Sequence, residues 1–366
     1  MNTTSTRMEA LWATTCKAAF GLAAALGLGL AQAQVGMTAF QAGNIEVTLT
    51  YPTTAQARPI ALGPFSVEAA LNGAPRDQRH RLVVMSHGTG GSATEHHALA
   101  AALADAGFVV AQPRHPGDNF RDTSRSGPPA FAQRPRDVVA VIDALGRDPR
   151  WAPRLALDKV GVHGMSAGGV TGLSLSGAQW RTLNLVRHCQ THAQDDEGFC
   201  FNGAKEGAAR AERKASFDRA RNVPEWLLPS DLKAWHGGRT DATDPRPDAR
   251  IAAVTLAVPV AAIYSAESLA RIRIPVGVVS AQRDEVLVPR FHSGWVLAHC
   301  GSCTLLAELP GGHFDLLWPW PDSVAREVAA QQVRGGQPTP GFDPRLRTAA
   351  HERIVAFHRQ HLQPLP

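Results

Sequence analysis

The chain has 366 residues, 44% hydrophobic and 19% charged, with 33 Gly and 26 Pro. Glycine shows no period of three and the charged fraction is low, which excludes collagen, coiled coil and wholesale disorder and leaves one large or two modest domains with an ample core. The formal charge of +5 does not point to nucleic acid, because the basic residues are scattered, with no run of five like charges and no finger or basic-arm spacing.

Arg7 and Lys17 lead an apolar run from Ala18 to Leu30, and Ala31-Gln32-Ala33 forms a small-x-small exit before Gln34. Together these predict a secretory signal peptide over residues 1–33, cleaved after Ala33, and a periplasmic or secreted protein. The run is too short for a stable membrane span, and no later segment reaches about 18 apolar residues.

Cleavage removes Cys16 and leaves Cys189, Cys200, Cys300 and Cys303, an even set for an oxidising compartment. Three pairings are possible. Proximity favours Cys189 with Cys200 and Cys300 with Cys303, and the first pair would close a short loop worth about 2–3 kcal/mol. Cys300-x-x-Cys303 also has the spacing of a redox or zinc half-site, but no second C-x-x-C and no βαβ start accompany it.

Residues 44–51 alternate apolar and polar as a half-buried strand does. The run 81–86 ends in the glycine-rich loop His87-Gly-Thr-Gly-Gly91. A helix is predicted over 93–106, a strand over 108–112 and an amphipathic helix over 136–145. Residues 158–163 form a third apolar run, broken by Gly164-Met-Ser-Ala-Gly-Gly169. Further strands are predicted at 250–258, 272–280 and 304–308. Strands alternating with helices predict an α/β chain with a mostly parallel central sheet flanked by helices on both faces. The polar stretch 188–249 breaks that rhythm and reads as a helical and loop insertion before the sixth strand.

Gly164-x-Ser166-x-Gly168 lies between an apolar strand and a small-residue helix, the context a nucleophile elbow needs. A serine hydroxyl is a weak nucleophile until a base takes its proton, and in this architecture the acid and then the His follow the Ser in the chain. His313, in a glycine loop after the last strand, is the expected base. His292 and His299 flank a helix, and His351, His358 and His361 fall in a C-terminal helical stretch and read as solvated. Asp284, at the end of the penultimate strand, is the expected acid, ahead of Glu285 and Asp315. Oxyanion donors are expected at the Ala167 N–H and, from the glycine loop, the Thr89 N–H. His87, His96, His97 and His115 lack zinc-site spacing, so no metal is expected.

These stretches resemble the α/β-hydrolase superfamily and, within it, bacterial proteins described as predicted dienelactone hydrolases, related to platelet-activating factor acetylhydrolase. The resemblance is carried by Tyr51-Pro-Thr, residues 83–91, Pro113–Asn119, Arg134-Pro-Arg-Asp137, residues 164–169, the Cys189–Cys200 segment, Asp284–Pro289 and Gly312-His-Phe314, in order along almost all of the chain. It implies an α/β-hydrolase fold over 34–366 and hydrolysis of carboxylic esters by Ser166, Asp284 and His313, without cofactor. Dienelactone hydrolases proper use Cys where this chain has Ser166, so the label says little about lactones. The expected partner is a small or polymeric ester. A polyester or lipid is an alternative if Trp226, Leu227, Leu228 and Trp235 of the insertion line an acyl groove; His87 is a candidate substrate contact, with packing of the glycine loop as its other reading. An amidase or peptidase on the same triad, or a catalytically silent binding protein on the same fold, are the other readings.

Overall fold

The apolar runs become the strands of one sheet. The computed structural model describes residues 34–201, 207–220, 247–330, 335–363 and residue 365, and the predicted leader lies outside them. The strands are β1 Gln34–Ala42, β2 Ile45–Thr53, β3 Arg58–Leu62, β4 Phe65–Leu71, β5 His80–Ser86, β6 Val109–Arg114, β7 Leu155–Met165, β8 Ile251–Ala257, β9 Val276–Ala281 and β10 Cys303–Leu309. Their order across the sheet is β3-β4-β1-β2-β6-β5-β7-β8-β9-β10. β2 is antiparallel to β1 and β6, and β3 to β4; every other neighbouring pair is parallel.

The described helices are α1 His97–Asp105, α2 Pro128–Arg147, α3 Ala167–Leu175, α4 Thr182–His192, α5 Glu197–Cys200 and α6 Ala208–Ala220. They continue with α7 Ala266–Leu269, α8 Ser293–His299, α9 Asp322–Ala330 and α10 Pro344–Leu362. None is long and apolar enough to cross a membrane. All seven residues of β5 are buried, as in a parallel strand covered on both faces. Successive side chains point to opposite faces. Leu82 and Val84 therefore join α2 and α3 in one core layer, while Val83 and Met85 join α1 and α10 in the other. The result is a mixed α/β fold with helices on both sides of a ten-stranded sheet.

Three elements differ from the sequence reading. β1 and the β3–β4 hairpin were not marked by strong periodicity, so the strand after the predicted insertion is the eighth in the chain, not the sixth. α2 starts at Pro128, well before the predicted residue 136. Pro135 inside it has no N–H to give to the preceding turn, and that interruption hid the first part of the helix. Of the predicted insertion 188–249, the described residues hold the end of α4, α5 and α6, and α4 already begins at Thr182. Cys189 is joined to Cys200, and Cys300 to Cys303.

The C-terminal histidines are a further correction. His351 and His358 are buried, not solvated. α10 lays one face on the sheet, and on that face His351 bonds the Leu316 carbonyl and His358 the Thr255 hydroxyl.

Candidate active site

Ser166 follows β7 and caps α3 with φ +55° and ψ −117°. A non-glycine residue in that region costs roughly 1–3 kcal/mol and persists only where its surroundings enforce it. Here the Ser166 N–H donates to the Ala257 carbonyl on β8, and the Ser166 carbonyl accepts from the Gly169 and Val260 N–H groups, all at 2.9–3.0 Å. The glycines are required by close approach. A Cβ on Gly164 would strike the Gly168 backbone, and one on Gly168 would strike the Ser86 carbonyl. Val258, just past the β8 end that accepts from Ser166, is a second strained residue, a β-branched side chain at φ +40°.

Asp284 and His313 lie at the C-terminal ends of β9 and β10. Asp284 Oδ2 is 2.8 Å from His313 Nδ1, and both residues are buried. Asp284 Oδ1 accepts the N–H groups of Val286 and Leu287 at 2.8 Å, which aims the other oxygen at the imidazole. Backbone bonds from Gln282 to Leu309 and from Arg283 to Gly311, both 2.8 Å, tie the Asp284 turn to the loop of His313. The other carboxylates weighed for the acid stand elsewhere. Glu285 is exposed. Asp315 is buried and shapes the His313 loop, accepting the Gly312 N–H at 2.7 Å and the Thr339 N–H at 2.8 Å.

Neither the Thr89 nor the Ala167 amide N–H has a hydrogen-bond acceptor among the described residues. Thr89 is exposed, on a loop held from beneath by Arg134. The buried Arg134 guanidinium donates to the carbonyls of His87, Gly88 (3.0 Å) and Asp118 (3.3 Å) and pairs with Asp118 Oδ2 at 2.6 Å. Asp118 Oδ1 in turn accepts the Gly90 N–H at 3.1 Å. Two backbone donors are thus left open beside the strained serine, on the amide directly after it and on the glycine loop braced against Arg134.

His87, expected to touch substrate, is buried and its ring is occupied. Nδ1 faces the Gly88 carbonyl at 2.7 Å and Nε2 accepts the His115 N–H at 3.3 Å. Burial, then the nearby Arg134, holds it well below the usual histidine range, so it is neutral. It fixes the shape of the glycine loop instead of facing solvent. Trp226, Leu227, Leu228 and Trp235 lie outside the described residues.

Among solved structures, the chain is similar in fold to a ferulic acid esterase from Streptomyces cinnamoneus. The two superpose with a TM-score of 0.53 at 17% sequence identity, covering 92% of each chain. No protein-family profile and no curated protein matches the chain by sequence. The similarity therefore speaks to the mixed α/β fold.

Two buried groups around the site carried no role in the sequence reading. The first is Arg134, Asp118, His115 and Asp137. Their stretches, 113–119 and 134–137, stood out in the sequence, but only folding brings them under the glycine loop. Asp137 is raised to about 6, chiefly by burial, while burial and Arg134 hold His115 well below the ordinary value. The second group is Asp196, His188 and His292. Asp196 Oδ2 bonds both imidazoles at 2.8 and 2.9 Å, and Oδ1 accepts the Val288 N–H at 3.2 Å. Burial pushes Asp196 up, but these hydrogen bonds outweigh it and bring the carboxyl to about 2. The Cys189–Cys200 segment is thereby fastened to the loop that follows Asp284.

Proposed function

We propose that this chain is an exported serine hydrolase that cleaves carboxylic esters through an acyl-enzyme intermediate. The observation that carries the reading is Ser166 at φ +55° in the turn between β7 and α3, with two open backbone donors beside it and a buried Asp284–His313 pair at the same sheet edge. Strain held on the serine of a strand-to-helix turn is what a nucleophile elbow stores. A sheet parallel throughout apart from β2 and the edge strand β3 supports the α/β-hydrolase fold implied by the motifs. Similarity in fold to a ferulic acid esterase is in keeping with ester chemistry.

On this reading His313 takes the proton of Ser166 Oγ as the oxygen attacks the ester carbonyl. Asp284 keeps Nδ1 protonated, so that Nε2 is the base, and stabilises the imidazolium that forms. The Ala167 and Thr89 N–H groups receive the oxyanion. Collapse of the tetrahedral intermediate expels the alcohol, which takes its proton from His313. Water, deprotonated by His313, then attacks the acyl-serine, and the acid leaves with the free Ser166 hydroxyl restored. Residues 34–366 would form the hydrolase domain behind a cleaved leader, and two disulfides suit an oxidising compartment.

Ser166→Ala should abolish turnover of p-nitrophenyl acetate, and a fluorophosphonate probe should label wild type at Ser166. A variant retaining a tenth of the wild-type rate, or no label on the wild-type serine, would overturn the reading. Absence of label together with no turnover of any ester or amide would favour a silent scaffold.

A further inference from the structure

A continuous buried chain of hydrogen bonds runs beneath the proposed site and ends on the helix of the nucleophile. Gln133 Nε2 donates to Asp137 Oδ1 at 2.8 Å, and Asp137 Oδ2 is 2.9 Å from His115 Nδ1. His115 Nε2 is 2.9 Å from Ser86 Oγ, and Ser86 Oγ is 3.1 Å from Thr171 Oγ1. From Asp137 to Thr171 every residue is at most 3% exposed. The order Asp–His–Ser is that of a catalytic triad, yet Ser86 is 1% exposed and spends its hydroxyl between His115 and Thr171. It meets no substrate.

Its placement gives it another use. Ser86 is the last residue of β5, and the loop bearing Thr89 begins at the next residue. Thr171 sits on α3, whose first residue is Ala167. The Ser86 carbonyl packs so closely on Gly168 that a Cβ there has no room. His115 also donates its backbone N–H to His87 Nε2, and the His87 ring closes on the Gly88 carbonyl. The two open amides are therefore carried by two separate elements, and Ser86, held by the His115 side chain, reaches across to Thr171 and joins them.

We propose that Asp137 and His115 are positioning residues that, through Ser86, hold the Thr89 loop in register with the N-terminus of α3 and so set the spacing of the two oxyanion donors. The inference rests on the serine-hydrolase reading. Asp137 fixes the His115 ring, the ring fixes the Ser86 hydroxyl, and the hydroxyl bridges to Thr171. Oxyanion donors act only when preorganised at the place where charge develops, so a shift of the loop against α3 weakens the transition state more than the bound ester.

The test is a set of Ser86→Ala, Asp137→Ala, Asp137→Asn and the Ser86→Ala/Asp137→Ala double variant, read by kcat, KM, thermal midpoint and inhibition by a phenylboronic acid. Outright removal of an oxyanion donor costs about 10²–10³ in kcat, so loss of its alignment should cost about 10- to 100-fold. Ser86→Ala and Asp137→Ala should each lower kcat by about that much with KM within about twofold, and boronate affinity should fall in parallel. The double variant should be no worse than the poorer single, because both break one chain. Asn at 137 still accepts from His115 and should recover most of the activity. Folded Ser86→Ala with kcat within twofold of wild type, losses confined to KM, or additive losses in the double variant would each overturn the proposal. Should Asp137→Ala not fold, Ser86→Ala decides alone. Loss of all activity in Ser166→Ala beside unaffected Ser86→Ala would sink this inference and leave the functional reading standing.

Discussion

A drop in pH from 7 to 5 bears most directly on the histidines buried between the sheet and α10. His358 Nε2 is 2.9 Å from Thr255 Oγ1, which also lies 2.9 Å from His163 Nδ1. His358 Nδ1 has no partner among the described residues, and the ring is packed so tightly on Gly161 that a Cβ there would lie 2.8 Å from Nδ1. A second proton would place an N–H against this wall with nothing to accept it. Burial, followed by the nearby His361, accordingly lowers His358 to about 3. The folded value lies below the unfolded 6.5, so the unfolded chain binds the extra proton first. The stabilisation is complete above pH 6.5 and is lost as pH falls toward 3. At 1.36 kcal/mol per unit, this one residue costs about 2 kcal/mol between pH 6.5 and 5. Glu95 and Asp137 act in the opposite sense. Burial raises them to about 7 and about 6, so the folded chain gains stability from them as pH falls below those values. The histidine effect must therefore be isolated by a variant. Urea titrations of wild type and His358→Gln at pH 7 and 5 should show the pH-dependent loss smaller in the variant by about 2 kcal/mol. Equal losses in the two proteins, within about 0.5 kcal/mol, would refute the reasoning.

Gly168→Ala should destabilise the chain by about 3 kcal/mol or more and remove esterase activity, because its Cβ meets the backbone carbonyl of Ser86, which cannot rotate away; a melting scan with a p-nitrophenyl ester assay checks both. Replacing Cys189 and Cys200 together by Ser should cost about 2–3 kcal/mol in urea, the loop-closure value for a separation of 11 residues, and no change in midpoint would count against it. Asp196→Ala strands two buried imidazoles and the Val288 N–H, so it should cost at least about 2 kcal/mol in urea and lower kcat through the Asp284 loop. Asp196→Asn should cost less on both counts. Glu95→Gln should raise stability at pH 8 relative to pH 5, since burial penalises the charged carboxylate.

Local sequence marked most of the sheet. The stretches 82–85 and 276–279 are apolar at every position because both faces of a central parallel strand are covered, and this pattern needs no partner to be visible. β1, β3 and β4 lie in the part of the sheet beyond β2, where burial is patchy and the alternation correspondingly faint. The glycines around Ser166 were legible for a similar reason, since a tight strand-to-helix turn imposes small residues on its own neighbours. Asp284 and His313 were marked as candidates by their positions after strands, and the fold brings the two side chains together.

Apart from His313, which its glycine loop after the last strand singled out, histidine roles were not legible. Fifteen histidines are identical in sequence, and only packing separates them. It sets His313 against Asp284, His292 against Asp196, His115 against Asp137 and His358 against Thr255. His351 and His358 misled the sequence reading because a polar side chain on a terminal helix looks solvent-facing until its partners arrive from elsewhere in the chain.

By itself the sequence determined the α/β alternation, the strained turn at Ser166 and the small residues it needs, since these follow from backbone sterics and burial within a few neighbouring residues. Tertiary structure alone decided which carboxylates the other buried imidazoles meet, and how Arg134 and Ser86 brace the glycine loop. Those contacts join residues as many as 96 positions apart, and their geometry exists only once the sheet has formed.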